Sequence, residues 1–212
     1  YKRQILYFAR RVDLQSADMH DHSWNSRLMP GAKNRTLGLV GFGGIGTEVA
    51  KRAVPFGMKV IYFCRHPNPA DDAAYGVQSV SMEELLKESD YVVAAVPLTD
   101  QTFHLFNEEC IAQMKAGSVL INIARGPVVD EEALAQALAS GHLGGCAVDV
   151  FPKEPCTDSV LTRYSNALLT PHSATSTAEN SKATNFAAAN NLVNYLKKDI
   201  DAKYVVVQGT RY

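Results

Sequence analysis

Arg125, Glu154 and His172 each lie just past a short apolar run. Arg125 follows Ile121-Asn122-Ile123-Ala124, Glu154 lies in Asp149-Val150-Phe151-Pro152-Lys153-Glu154-Pro155, and His172 follows Leu169-Thr170-Pro171. Such runs read as buried strands, and open α/β sheets bind ligands beyond the carboxyl ends of their strands. A guanidinium fork, a carboxylate and an imidazole gathered at one rim suit a particular chemistry. The fork holds a substrate carboxylate through paired hydrogen bonds. The imidazolium delivers a proton to a carbonyl oxygen while a hydride arrives, and a neighbouring carboxylate favours the charged ring. The set fits reduction of a 2-keto acid. Spacing alone leaves the plainer reading open, because loop Arg, Glu and His side chains are commonly solvated.

A hydride needs a carrier, and Thr36 to Ala50 supplies a place for one. Leu37 to Val40 is apolar, Gly41, Gly43 and Gly46 fall on the G-x-G-x-x-G spacing, and Ile45, Val49 and Ala53 continue at helical intervals. Gly41 lets the chain turn sharply, Gly43 leaves room for a pyrophosphate, and Gly46 lets the new helix press on the strand. The free N–H groups at that helix start, with the dipole behind them, face the phosphates. A purely structural glycine turn is the alternative. The next strand, Met58 to Phe63, ends in Cys64-Arg65-His66 where NAD-binding sites carry an acidic residue for the ribose hydroxyls. Arg65 suits a 2′-phosphate, which favours NADP over NAD; the alternatives are that it stacks on adenine or faces solvent.

These residues need a scaffold, and the composition permits an ordinary one. The chain has 212 residues, 46% hydrophobic and 20% charged, with a net charge of -1. That balance points to neither a nucleic-acid nor a membrane-surface partner, and no apolar run is long enough to span a bilayer. Cys64, Cys110, Cys146 and Cys156 form no C-x-x-C pair and read as reduced thiols, hence a cytoplasmic setting, with an organelle the alternative. No metal site is expected, because His20-Asp21-His22 has no further ligand nearby and reads as a solvated loop. Trp24 reads as a packing anchor or a subunit contact.

Further along, residues 1–12 carry a helical apolar face, residues 13–35 read as a polar, turn-rich loop, and a helix of about ten residues follows the glycine turn. Ser81-Met82-Glu83-Glu84 is a capping box for a short helix. Tyr91–Val96, Ser118–Ile123, Cys146–Val150 and Ala167–Leu169 read as strands, with helices at Asn107–Met114, at Glu131–Ser140 behind an Asp130 cap, and over about Ala174–Lys197. Strands alternating with helices, and nearly continuous apolar runs, imply a Rossmann-like doubly wound parallel sheet covered on both faces.

Four segments carry a more specific resemblance. Gly41-Phe42-Gly43-Gly44-Ile45-Gly46, Asn122 through Leu134, Asp149 through Pro155, and Thr170-Pro171-His172-Ser173-Ala174 closely resemble the D-isomer-specific 2-hydroxyacid dehydrogenases, in the family's order. The resemblance implies hydride transfer between a nicotinamide cofactor and a 2-hydroxy or 2-keto acid. It implies Arg125 as carboxylate binder, His172 as general acid/base and Glu154 as its partner. Asp149 is implied near the nicotinamide carboxamide, and Val96 and Pro97 near the adenine. The full set expected to contact the cofactor is Gly41, Gly43, Gly44, Ile45, Gly46, Cys64, Arg65, Val96, Pro97, Ala124, Arg125, Asp149, His172 and Ala174. Residues 1–172 are expected to form the dinucleotide-binding domain and residues 173–212 a helix and tail returning toward a substrate lobe. The chain begins at Tyr1 with an uncapped helix, so most of that N-terminal lobe is expected to be absent. The family also implies a homodimer. A cofactor-sensing corepressor without turnover is the alternative within the same fold.

Overall fold

A computed structural model describes residues 2–199 and 201. It divides into two compact units, Tyr1–His172 and Ser173–Tyr212. The first is built on seven parallel strands: β1 (Thr36–Val40), β2 (Lys59–Phe63), β3 (Gln78–Ser79), β4 (Tyr91–Ala94), β5 (Val119–Asn122), β6 (Gly145–Val148) and β7 (Ala167–Leu169). Their order across the sheet is β3-β2-β1-β4-β5-β6-β7. The chain winds outward from β1 in one direction, then returns and winds outward from β4 in the other. This is the Rossmann-like doubly wound sheet, with its switch point between β1 and β4. Leu37 pairs with Val60 on one side and Tyr91 on the other, so all three strands end level with one another.

Burial follows the period-two alternation of strands. Leu37, Leu39, Val60, Tyr62, Val93 and Ile121 face one layer. That layer is α1 (Lys2–Arg10) and α3 (Gly44–Ala53), which contribute Ile5, Phe8, Val49, Ala50 and Ala53. Val40, Ile61, Val92, Leu120 and Val148 face the other. There α5 (Met82–Glu88) gives Leu85 and Leu86, α6 (Glu108–Ala112) gives Ile111, and α7 (Glu131–Ala139) gives Leu134 and Leu138. Each buried Val, Leu, Ile or Phe side chain contributes about 1.5–3 kcal/mol by leaving water, and the alanines less. The sheet is therefore held from both faces, and its loops at the carboxyl edge are free to differ.

The amino-terminal region departs from the sequence reading. Residues 13–20, expected to be loop, belong to helix α2 (Val12–His20), so His20 closes a helix instead of sitting in a loop. Arg11, at φ 41°, breaks α1 from α2, and its guanidinium grips Asp13 at 3.0 Å. No residue of α2 is buried, so there was no apolar period to read. Trp24, read as a packing anchor or a subunit contact, is 84% exposed within the chain, which rules out the first. Helix α4 (Pro69–Tyr75), capped by Asn68 and closed by Gly76, and strand β3 are additions between β2 and α5. The second unit holds α8 (Ala178–Leu196), which starts at the Thr177 cap rather than at Ala174, and none of its residues is buried.

Candidate functional site

The glycine turn sits at the switch point. Gly41 adopts φ 101°, a region other residues enter only under strain, and a Cβ there would come within 2.4 Å of the Ala95 carbonyl oxygen. A Cβ at Gly46 would approach the Gly41 oxygen to the same distance, so α3 starts hard against the end of β1. Gly43 caps α3, and a Cβ on it or on Gly44 would meet nothing within 4 Å. The two tight glycines thus shape the backbone, while Gly43, Gly44 and Ile45 border open space at the helix N-terminus. A pyrophosphate fits such a cradle. Phe42, between them, stacks on Tyr62 with ring centres 4.0 Å apart. The Tyr62 hydroxyl donates to Asp72 at 2.8 Å; burial and that contact push its pKa up to about 12.

An open crevice of about 470 Å³ runs from this turn along the carboxyl ends of β1, β2 and β4. Gly41, Gly43, Cys64, Arg65, Val96 and Pro97 line it. Six of the expected cofactor contacts are thus brought to one cavity. Arg65 stands at the end of β2 and donates through Nη1 to Gln101 Oε1 across the crevice at 3.3 Å. Gln101 belongs to a turn that sequence reasoning passed over.

The chemical residues gather on the loops after β5, β6 and β7. Asn122, at the end of β5 and only 1% exposed, donates to the Arg125 carbonyl at 3.0 Å and accepts from the Ala124 N–H at 3.1 Å. Both ends of its amide are used, so the turn carrying Ala124 and Arg125 is pinned from beneath. Gly126 lets that turn meet the Phe151-Pro152 segment, where a Cβ would lie 2.0 Å from the Phe151 carbonyl carbon. The segment it meets carries Glu154. Asp149, buried at the end of β6, accepts from the Thr170 hydroxyl through its carboxylate and from the His172 N–H through its carbonyl at 2.8 Å. His172 itself adopts φ 47°.

Glu154 and His172 are hydrogen-bonded, with His172 Nδ1 2.8 Å from Glu154 Oε2. The other carboxylate oxygen accepts the Phe151 N–H at 2.9 Å. The His172 contact first, then that N–H, hold the Glu154 carboxyl below the usual carboxylate range; the Arg125 charge adds in the same direction. With Nδ1 engaged, Nε2 is the nitrogen left to exchange a proton with a bound molecule. Ala174 belongs to the second unit. Asn122, Thr170, Tyr62 and Gln101 were not among the expected site residues. Asn122 and Thr170 lie inside the segments that carry the family resemblance; Tyr62 and Gln101 had no local signal. Among the described residues there is no group of three or more His, Cys, Asp or Glu side chains that could hold a metal ion.

A parallel sheet in this order, with a glycine cradle at its switch point, has the form of a dinucleotide-binding domain. Residues 3–174 match the family described as D-isomer specific 2-hydroxyacid dehydrogenase, NAD binding domain, and the chain belongs to that family. It is 38% identical over 210 residues to a glyoxylate reductase of Thermococcus litoralis, covering 95% of this chain and 63% of that protein. It is 41% identical over 181 residues to a hydroxypyruvate reductase of Thermotoga maritima, covering 82% and 58%. Among solved structures it superposes on D-lactate dehydrogenase from Aquifex aeolicus, complexed with NAD and lactic acid, at a TM-score of 0.84. There the identity is 30%, over 92% of this chain and 64% of that one. The chain thus spans less than two thirds of the length of these relatives. No described helix is long and apolar enough to cross a membrane.

Proposed function

We propose that this chain supplies the cofactor-binding and acid–base half of a reductase for small 2-keto acids such as glyoxylate or hydroxypyruvate, with unit Tyr1–His172 as the dinucleotide-binding domain. The observation that carries it is the Glu154–His172 pair at 2.8 Å, set among the loops that carry Arg125 and Asp149. Gly41 to Gly46 receive the pyrophosphate, Val96 and Pro97 the adenine side, and Asp149 the nicotinamide carboxamide. The bound nicotinamide supplies or accepts the hydride. Arg125 holds the substrate carboxylate and so aims C2 at the cofactor. His172, held by Glu154 through Nδ1, gives the proton from Nε2 to the carbonyl oxygen as the hydride reaches C2. Run backwards, the same ring takes the hydroxyl proton.

Arg65 favours NADP over NAD, since among the described residues no carboxylate stands at the end of β2 to repel a 2′-phosphate. The exposed Trp24, Leu28 and Met19 suit burial against a second copy of the chain, hence a homodimer. The four free thiols suit a reducing compartment such as the cytoplasm. Transfer of deuterium from 4-deuterated NADPH to C2 of glyoxylate, read by mass spectrometry, tests the reading. Labelled glycolate should form with the chain, faster than from NADH, and should fall by at least about 100-fold with His172→Ala. No label transfer by the chain joined to the unmatched part of the Thermococcus litoralis reductase, while the cofactor is shown to bind, overturns it.

A further inference from the structure

The Arg65–Gln101 contact joins the two banks of the crevice. Arg65 leaves the end of β2, and Gln101 comes from the connection after β4, on the far side of β1. That connection closes on itself. The Thr102 hydroxyl donates to the Pro97 carbonyl at 2.6 Å and accepts the Thr99 N–H at 2.8 Å. The Phe103 N–H returns to the Thr99 carbonyl at 2.8 Å. Gln101 is therefore presented by a braced turn whose Pro97, Thr99 and Thr102 line the same cavity.

Gln101 offers an amide oxygen, which accepts a guanidinium proton without cancelling its charge. Among the described residues Arg65 makes no ion pair, whereas Arg11, Arg27, Arg35 and Arg52 each have a carboxylate partner. A carboxylate at position 101 has the same shape and the same acceptor. It would hold the fork equally well, neutralise it, and place a negative charge beside any phosphate that approached.

We propose that Gln101 is a cofactor-selecting residue: its neutral amide steers the Arg65 guanidinium across the crevice while leaving the full positive charge for a ribose 2′-phosphate. This rests on the reading of Arg65 as the 2′-phosphate ligand. A bound 2′-phosphate would take over the guanidinium protons, with no carboxylate beside it to repel it. Selection thus comes from two sides of the crevice, an attractive group on β2 and the avoidance of a repulsive one on the turn after β4.

Calorimetric titration with 2′,5′-ADP and 5′-ADP tests this without any turnover. The wild-type chain should bind 2′,5′-ADP more tightly. Gln101→Glu should weaken 2′,5′-ADP by about tenfold, the scale of one like-charge contact near a surface. It should leave 5′-ADP within about twofold, and the loss should shrink with added salt. Gln101→Ala should keep the wild-type preference, and Arg65→Ala should abolish it. Position 101 is exposed, and a circular dichroism melt at the wild-type temperature shows that each variant is folded. If Gln101→Glu keeps the wild-type ratio while Arg65→Ala loses it, the role of Gln101 is overturned and that of Arg65 stands. Loss of preference in Gln101→Ala as complete as in the Glu variant overturns the charge argument. Equal affinity of the wild-type chain for both nucleotides overturns both.

Discussion

At the scale of single residues, the site is a set of acceptors and donors whose partners are already assigned. Glu154 spends one oxygen on the Phe151 N–H and the other on His172, so its orientation is set by backbone as well as by ring. Its depressed pKa has the His172 contact as the leading cause. For a carboxyl lowered on folding, the linked stabilisation is present above the ordinary carboxylate range and is lost as pH falls through the lower folded value. The group is solvent-exposed, so its contribution to overall stability is small and its effect is local. A carboxyl-detected NMR titration should show Glu154 ionising at lower pH than a free glutamate. In His172→Ala the midpoint should move up toward the ordinary range, without reaching it, because the Phe151 N–H remains. A midpoint unchanged by that substitution would mean the pair is not formed in solution.

At the scale of elements, positioning depends on where each strand stops and what caps the next turn. Asp130 shows how local this is: its carboxylate accepts the N–H groups of Glu132 and Ala133 at 3.1 and 3.3 Å and so starts α7. Because α7 places Leu134 and Leu138 on the core, losing the cap loosens the layer beneath the Arg125 loop. Asp130→Ala should cost about 1 kcal/mol, or about 2–4 °C in melting temperature for a chain of this size, while 5′-ADP affinity stays within about twofold. A melt within one degree of wild type would remove the cap from the account. Such signals are why much of the fold was legible. The apolar runs Leu37–Val40, Tyr91–Val96 and Ser118–Ile123 overlap β1, β4 and β5, and Ser81 and Asp130, read as caps, accept helix N–H groups. Arg125, Glu154 and His172 were found because each follows a strand, and the family segments contain them. What escaped lacks local pattern. Helix α2 buries nothing, α4 is seven residues long, and Gln101 meets Arg65 across 36 positions of sequence. Only the winding of the sheet brings that last pair together.

At the scale of the whole molecule, two kinds of uncovered surface bear on function. The arm with Trp24 and Leu28 exposes large apolar side chains that a second copy would shelter, and sedimentation equilibrium should find a dimer that Trp24→Ser weakens. The other uncovered surface is the rim that carries Glu154 and His172. The side chains of His172 and Glu154 remain 47% and 36% exposed, so water reaches the pair and screens it. Reductive chemistry on a keto acid gains from a closed site, where the oriented substrate and the acid meet without competing solvent. The Thermococcus litoralis glyoxylate reductase has more than a third of its length beyond the matched part. That remainder is where a closing lobe for this rim would reside. The 212 residues alone should therefore bind nucleotide through the crevice yet reduce glyoxylate slowly. A chimera joining them to the unmatched part of that reductase should raise kcat/KM by at least about 100-fold, with the gain dependent on His172. Equal kcat/KM for the chain and the chimera, both sensitive to His172→Ala, would show that the exposed rim is already sufficient.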